Sequence, residues 1–244
     1  MAVAARLVYL RSHERLSRIV QGHHMMSFIT DPKVENYIYA MLPERGAVMQ
    51  EIERQAKVRD IPIVGPAVGR LFYQYARLIQ AKTVFEMGSA VGYSTLWWAM
   101  AVGEDGKVHY TDGSPKNAEE ARGYFEQAGV ANRIEVHVGD AIEILSERKE
   151  EFDILFCDID KHDYPRAARM ARERVRLGGL FLTDNSLWDG RVSYAAGNPD
   201  MKLENEPDEK TRAIVEFNEL MYKSSEWYTT IVPLRDGVTV ALRT

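Results

Sequence analysis

The sequence predicts an α/β fold: a doubly wound, mostly parallel sheet with an N-terminal helical extension and a C-terminal antiparallel hairpin. Three observations carry this. From Lys82 onward, short apolar runs alternate with stretches of helical length, the rhythm of a parallel sheet. The first run, Val84 to Met87, leads into Gly88 and Gly92 and then an apolar helix opening at Ser94. Strand, glycine turn and helix together bring backbone N–H groups and a helix N-terminus up to a ligand. The later runs also end in polar residues, and ligands of open parallel sheets bind beyond the carboxyl ends of the strands.

Taken in order, residues 1–26 form an extension. Arg6, Arg11, Arg15 and Arg18 stand against one acid, Glu14, a balance shared with transit peptides. An upstream start before Met25-Met26 is the favoured reading, and His23-His24 reads as part of a solvated tail. Residues 27–80 read as a helical cap. Asp31-Pro32 begins a helix as N-cap and first position, with Val34, Tyr37, Ile38 and Met41 on one face. A second helix opens at Pro43-Glu44 and runs to about Arg59. Ile61–Pro66 is irregular, and a third helix spans about Ala67 to Ile79. This cap reads as a packing or dimerisation element.

Residues 81–244 read as the α/β core. The first strand is Thr83–Met87, the second Lys107–Thr111. A helix from Pro115 to Ala128 ends at Gly129. The third strand is Arg133–Val138, and Asp140 caps a helix to about Lys149. The fourth strand is Phe152–Cys157. A helix over about Tyr164–Arg176 is stopped by Gly178-Gly179, before a fifth strand at Leu180–Thr183. Gly190–Pro207 is a polar loop, and Thr211–Tyr222 is helical. Trp227–Val232 and Val238–Leu242 pair through Asp236-Gly237, a hairpin signal.

Composition narrows the function. A net charge of −5 speaks against a dedicated nucleic-acid binder, which carries a basic face. The single cysteine, Cys157, cannot form an internal disulfide, which fits a reducing cytoplasm. No apolar run reaches transmembrane length, so no membrane partner is expected.

The polar strand ends name the candidate residues. The glycine turn fails the dinucleotide pattern G-x-G-x-x-G, because Ala90 and Tyr93 stand at two of its positions. Asp112, ending the second strand, reads either as a ribose acid or as a turn residue before Pro115. Asp140 reads either as an adenine contact or as a helix cap. Asp158, Asp184 and Asn185 follow strands expected to be neighbours. Two carboxylates and an amide oxygen suit a hard cation such as Mg²⁺, Mn²⁺ or Ca²⁺, with helix capping as the other reading.

Three motifs carry a family resemblance. Glu86–Ser94 resembles the E-x-G-x-x-x-G-x-S loop of class I S-adenosylmethionine (SAM) methyltransferases. Asp158-Ile159-Asp160-Lys161-His162-Asp163-Tyr164 resembles the D-x-D-K-x-x-Y motif of cation-dependent O-methyltransferases. Asp184-Asn185-Ser186-Leu187-Trp188-Asp189-Gly190-Arg191-Val192 resembles their D-N-x-L-W-x-G-x-V motif. The family is the caffeoyl-CoA/catechol O-methyltransferase group, and the likeness covers about residues 31–244. It implies a Rossmann-like class I methyltransferase fold. It implies Asp158, Asp184 and Asn185 as cation ligands, and Glu86, Gly88, Gly92, Ser94, Asp112, Asp140 and Asp160 around SAM, with Asp160 on the methionine amino group. Lys161 would sit beside the acceptor hydroxyl, with Asp158, Lys161 and Asn185 forming the catalytic set. Gly113-Ser114 leaves Asp112 as the only ribose acid, where the family often has two.

The implied reaction is methyl transfer from SAM to one hydroxyl of a catechol-type small molecule or its CoA ester, in a cytoplasmic homodimer. Trp188, Tyr164 and aromatic residues of the cap are expected to sandwich the ring. The alternative acceptor is a hydroxylated uridine in transfer RNA. A nicotinamide oxidoreductase and a non-catalytic SAM-binding dimer are the other readings. The failed glycine pattern counts against the first, and the intact Asp158, Lys161, Asp184 and Asn185 set against the second.

Overall fold

The computed structural model of the chain describes residues 29–195 and 207–244. The expectations placed on residues 1–26, and most of those on the Gly190–Pro207 loop, lie outside the described residues.

Among the described residues three helices precede the sheet: α1 (Pro32–Ala40), α2 (Ala47–Arg59) and α3 (Gly65–Leu78). Asp31 caps α1 through its side chain. None of α1's residues is buried; Val34, Tyr37 and Met41 are exposed. The second helix starts at Ala47 rather than Pro43, because Arg45 ties the preceding turn to Glu53 instead of joining the helix. The third starts two residues early, at Gly65-Pro66, where proline suits the first turn.

The sheet strands are β1 (Thr83–Met87), β2 (Lys107–Asp112), β3 (Ile134–Val138), β4 (Phe152–Cys157), β5 (Val175–Thr183), β6 (Trp227–Val232) and β7 (Val238–Arg243). Their spatial order is β3-β2-β1-β4-β5-β7-β6. The first five pair in parallel and β7 runs antiparallel to both neighbours. This is the expected doubly wound sheet with its terminal hairpin. Between them lie α4 (Tyr93–Val102), α5 (Pro115–Gln127), α6 (Ala141–Ser146), α7 (Tyr164–Arg174), α8 (Arg191–Ala195) and α9 (Glu209–Lys223). The strand order reverses between β1 and β4, the switch point where such sheets open a crevice.

Two apolar layers flank the sheet. One, containing Phe72, Trp98, Tyr110 and Phe156, joins α3, α4 and α5 to it. The other, containing Phe85, Phe152, Tyr164 and Phe217, joins α6, α7 and α9. α4 is buried on nearly every side, as expected for an apolar helix between α3 and the sheet.

Other boundaries differ from the sequence reading as well, and Arg191–Ala195, expected within a polar loop, is helical. The helix capped by Asp140 ends at Ser146, not Lys149. The helix before the fifth strand ends at Arg174, and β5 begins at Val175 and runs through Gly178-Gly179. Val175 already pairs with Phe152, and the ladder shifts register before Ile154 pairs with Leu180. The glycines therefore sit in a bulge rather than at a stop. A side chain on Gly179 would meet the Asp153 carbonyl at 2.8 Å. Asp153 anchors this edge by accepting from Thr83 N and Arg176 Nε.

Candidate active site

The site is built where β1 and β4 end side by side. Met87 pairs with Cys157, and the Asp158 N–H donates to Met87 O at 2.9 Å. Gly88 turns away with φ +80, and a Cβ there would lie 2.4 Å from the Asp158 carbonyl. Only glycine lets these two loops touch. Gly92, also at positive φ, precedes α4; its Cβ would meet the Phe125 ring at 2.6 Å. Packing against α5 is thus sufficient reason for the second glycine. Ala90 N donates to Asp112 Oδ2 and Ala90 O accepts from Tyr110, so the loop is pinned to β2.

Glu86 lies under this loop, fully buried. Its Oε2 accepts from the Ser89 and Thr95 hydroxyls, and Ser94 also faces it. Its Oε1 has no partner. Burial pushes the carboxyl up to about 7, against the opposing pull of these hydroxyls.

Beside the switch point, Asp158, Asp184 and Asn185 share a cleft of about 400 Å³ with Gly88, Ala90, Asp112, Lys161, Trp188 and Arg235. Asp184 is buried, and its Oδ1 has no partner. Burial and the facing Asp158 raise its pKa; Arg235 opposes the rise. Asn185 adopts a left-handed backbone, φ 55. Its Nδ2 donates to Asp236 Oδ2 at 2.9 Å, so the amide oxygen is not used in that contact. Asp236 in turn accepts from Asp189 N at 2.5 Å.

An unpartnered buried carboxylate oxygen beside a second carboxylate is costly without a cation. The donors are oxygens, which fit a hard divalent ion. The residues present therefore fit such an ion.

Lys161 is buried in the same wall. Its Nζ donates to Asp158 Oδ1 at 2.8 Å, to Ile159 O at 3.2 Å and to Tyr164 Oη at 2.8 Å. Tyr164 Oη donates onward to Asp184 O at 2.9 Å. Tyr164 is fully buried, with its ring edge-on to Phe217, so it cannot clamp a substrate ring as expected. It is instead a strut between Lys161 and the end of β5. Trp188, at positive φ, does line the cleft, with Lys161 and Arg191 over its ring.

Of the other acidic candidates, Asp112 lines the cleft and Asp140 and Asp160 are not part of its lining. Asp140 caps α6 through Glu143 N at 2.8 Å. Asp160 is exposed and accepts from Lys210 Nζ and from His162, contacts that hold its carboxyl well below the usual range, Lys210 foremost. Asp112 accepts from Ser114 N and Asn117 Nδ2 as well as Ala90 N; the cap of α5 is Ser114.

Sequence reasoning missed Arg235, half-buried at φ 52. Its guanidinium donates to Ile63 O at 2.5 Å and faces Asp184. It also missed the tether from Asp236 to Asn185. The Asp236-Gly237 pair signalled only a turn, and no local pattern links it to a residue 51 positions away.

The O-methyltransferase family profile matches residues 44–244. Caffeoyl-CoA O-methyltransferase 1 of Nicotiana tabacum is 29% identical over 220 residues, spanning 84% of this chain and 91% of that one. Catechol O-methyltransferase of Niastella koreensis is 35% identical over 133 residues, 53% of this chain and 60% of that one. Among solved structures, the O-methyltransferase TomG of Streptomyces achromogenes, involved in tomaymycin synthesis and solved with SAM, superposes with a TM-score of 0.76. It is 30% identical and covers 87% of this chain and 96% of that one.

Proposed function

Because the chain belongs to the O-methyltransferase family and is a SAM-dependent O-methyltransferase, we propose that it methylates one hydroxyl of a catechol-type small molecule, free or as its CoA ester, with the help of a divalent cation. One observation carries this reading. Asp158, Asp184, Asn185 and Lys161 converge in one cleft beside Gly88, with a buried Asp184 oxygen left unpartnered.

In this reading Asp158, Asp184 and Asn185 hold the cation, Mg²⁺ or a similar hard ion. Bound there, the cation would orient two vicinal oxygens of the acceptor and lower the pKa of one, and SAM would supply the methyl group. With Asp158 drawn to the cation, Lys161 Nζ would give up its bond to that carboxylate and, still placed by Tyr164, would as the free amine take the proton that leaves the acceptor. Trp188 covers the acceptor ring. Asp236 fixes the rotamer of Asn185. SAM would lie over Gly88 and the start of α4, with Glu86, Gly92 and Ser94 shaping that end. Asp112 would take the ribose and Asp140 approach the adenine. Asp160 would exchange Lys210 for the methionine amino group. Much of the acceleration is then alignment of two reactants rather than acid–base strength.

Among the described residues no helix is long and apolar enough to cross a membrane. A small-molecule acceptor in the cytoplasm is the setting proposed. The proposed homodimer would cover the exposed side of α1 at Val34, Tyr37 and Met41. Mn²⁺ titration of the wild type and of Asp184→Ala tests the cation site. Tight binding only in the wild type supports it, and equal binding in both removes it. Methyl incorporation into RNA but not into catechols would move the acceptor to the alternative class.

A further inference from the structure

A second constellation lies on the sheet itself, away from the cleft. His109 of β2 stands opposite Glu135 of β3 in the parallel ladder, and His137, two residues on, shares its face. His109 Nδ1 and His137 Nε2 are 3.2 Å apart. His109 Nδ1 to Glu135 Oε2 is 3.7 Å, and His137 Nε2 to Glu135 Oε1 is 3.4 Å. Among the described residues these are the only three His, Cys, Asp or Glu side chains whose donor atoms all lie within 4.8 Å of one another.

We propose that His109, Glu135 and His137 form a metal site for a borderline transition ion such as Zn²⁺, separate from the cation site of the cleft. Zinc binds imidazole nitrogen and carboxylate oxygen at about 2.0–2.2 Å, so tetrahedral ligands stand about 3.3–3.6 Å apart. The two imidazole nitrogens stand 3.2 Å apart, and each lies 3.4–3.7 Å from one Glu135 oxygen, Oε2 for His109 and Oε1 for His137, spacings close to that value. The terminal torsion of histidine is soft, so a small ring rotation turns both lone pairs to one point. Burial holds both imidazoles below their usual pKa, which leaves them neutral and able to ligate at physiological pH. The Phe85 and Phe152 rings pack against His109.

A cation already probes this position. Arg148 Nη2 lies 3.3 Å from His137 Nε2 and 3.4 Å from Glu135 Oε1, and is also paired with Glu150. An ion would displace it, and Glu150 would keep the released guanidinium. The ion would then tie β3, the edge strand, to β2. The nitrogen-rich set selects against Mg²⁺ and the cleft's oxygen set selects for it, so the two sites take different ions.

The test is calorimetric titration of the untagged full chain with Zn²⁺ in millimolar Mg²⁺, repeated with Co²⁺ for its visible absorption. One Zn²⁺ per chain, a tetrahedral Co²⁺ spectrum and a raised melting temperature are expected. His137→Gln and Glu135→Gln, at partly exposed positions, should weaken binding by more than about tenfold, and Arg148→Ala should strengthen it. The proposal is overturned if the wild type takes up no stoichiometric Zn²⁺. It is also overturned if His137→Gln binds Zn²⁺ as tightly as the wild type, which would place the ion elsewhere.

Discussion

Glu86 should cost the cofactor-free protein stability at neutral pH, and Glu86→Gln should recover it in a pH-dependent way. The carboxyl is fully buried and raised from 4.5 to about 7. In the unfolded chain it ionises near its ordinary value, whereas in the folded protein it keeps its proton until about pH 7. The folded state therefore binds more protons in between, and stability falls as pH rises through that window. A shift of this size corresponds to about 3 kcal/mol at pH 8, an order-of-magnitude figure. Glutamine has the shape of the protonated acid and does not titrate. Its amide nitrogen at the unpartnered Oε1 position adds a penalty of about 1–3 kcal/mol, but a constant one.

The measurement is urea unfolding of wild type and Glu86→Gln between pH 5 and pH 8, without cation or cofactor. The variant should gain on the wild type by about 2.5 kcal/mol across that range, whatever its offset at pH 5. A difference that stays flat with pH would refute the reasoning. It would mean that the Ser89, Ser94 and Thr95 hydroxyls compensate the buried charge in full.

Other substitutions separate the parts of the site. Lys161→Ala should lower turnover by about 10²–10⁴-fold and leave SAM affinity nearly unchanged in a binding titration; wild-type turnover would remove Lys161 from the mechanism. Asp236→Ala releases Asn185 Nδ2 and should weaken Mn²⁺ binding by about 10–100-fold, read by electron paramagnetic resonance; unchanged affinity would deny the tether a role. Gly69→Ala places a methyl 2.1 Å from Trp97 Nε1, so α3 and α4 must part. It should cost about 1–3 kcal/mol, lowering the melting temperature by roughly 2–12 °C, and an unchanged melt would show that the Trp97 ring yields freely.

The sheet was legible because its cause is local. Apolar runs such as Phe152–Cys157 are bounded by charged and polar residues, and the pleat needs little else to be recognised. The start of β5 was not legible, because Val175 joins the sheet through a bulge opposite Phe152 and the glycines there mimic a stop signal. The rim of the cleft was legible as a set of strand-end polar residues, since a parallel sheet carries all such ends to one side. Orientation was not. Tyr164 falls one helical turn from Lys161 in sequence, yet its ring turns inward onto Phe217 and only its hydroxyl reaches the site. Arg235 enters from the hairpin turn through a left-handed backbone, which no periodicity announces. The stacking of His109 and His137 depends on β2 and β3 pairing in register, and their spacing in sequence matches no ligand motif.

The central claim is a cation held by Asp158, Asp184 and Asn185 that presents a vicinal diphenol to SAM. The most direct measurement is methyl transfer from SAM to a panel of catechols, with Mg²⁺ and then with EDTA. The account predicts a mono-methylated catechol that forms with Mg²⁺ and disappears with EDTA. Methylation of the same catechol undiminished by EDTA, or retained in Asp184→Ala, would contradict it.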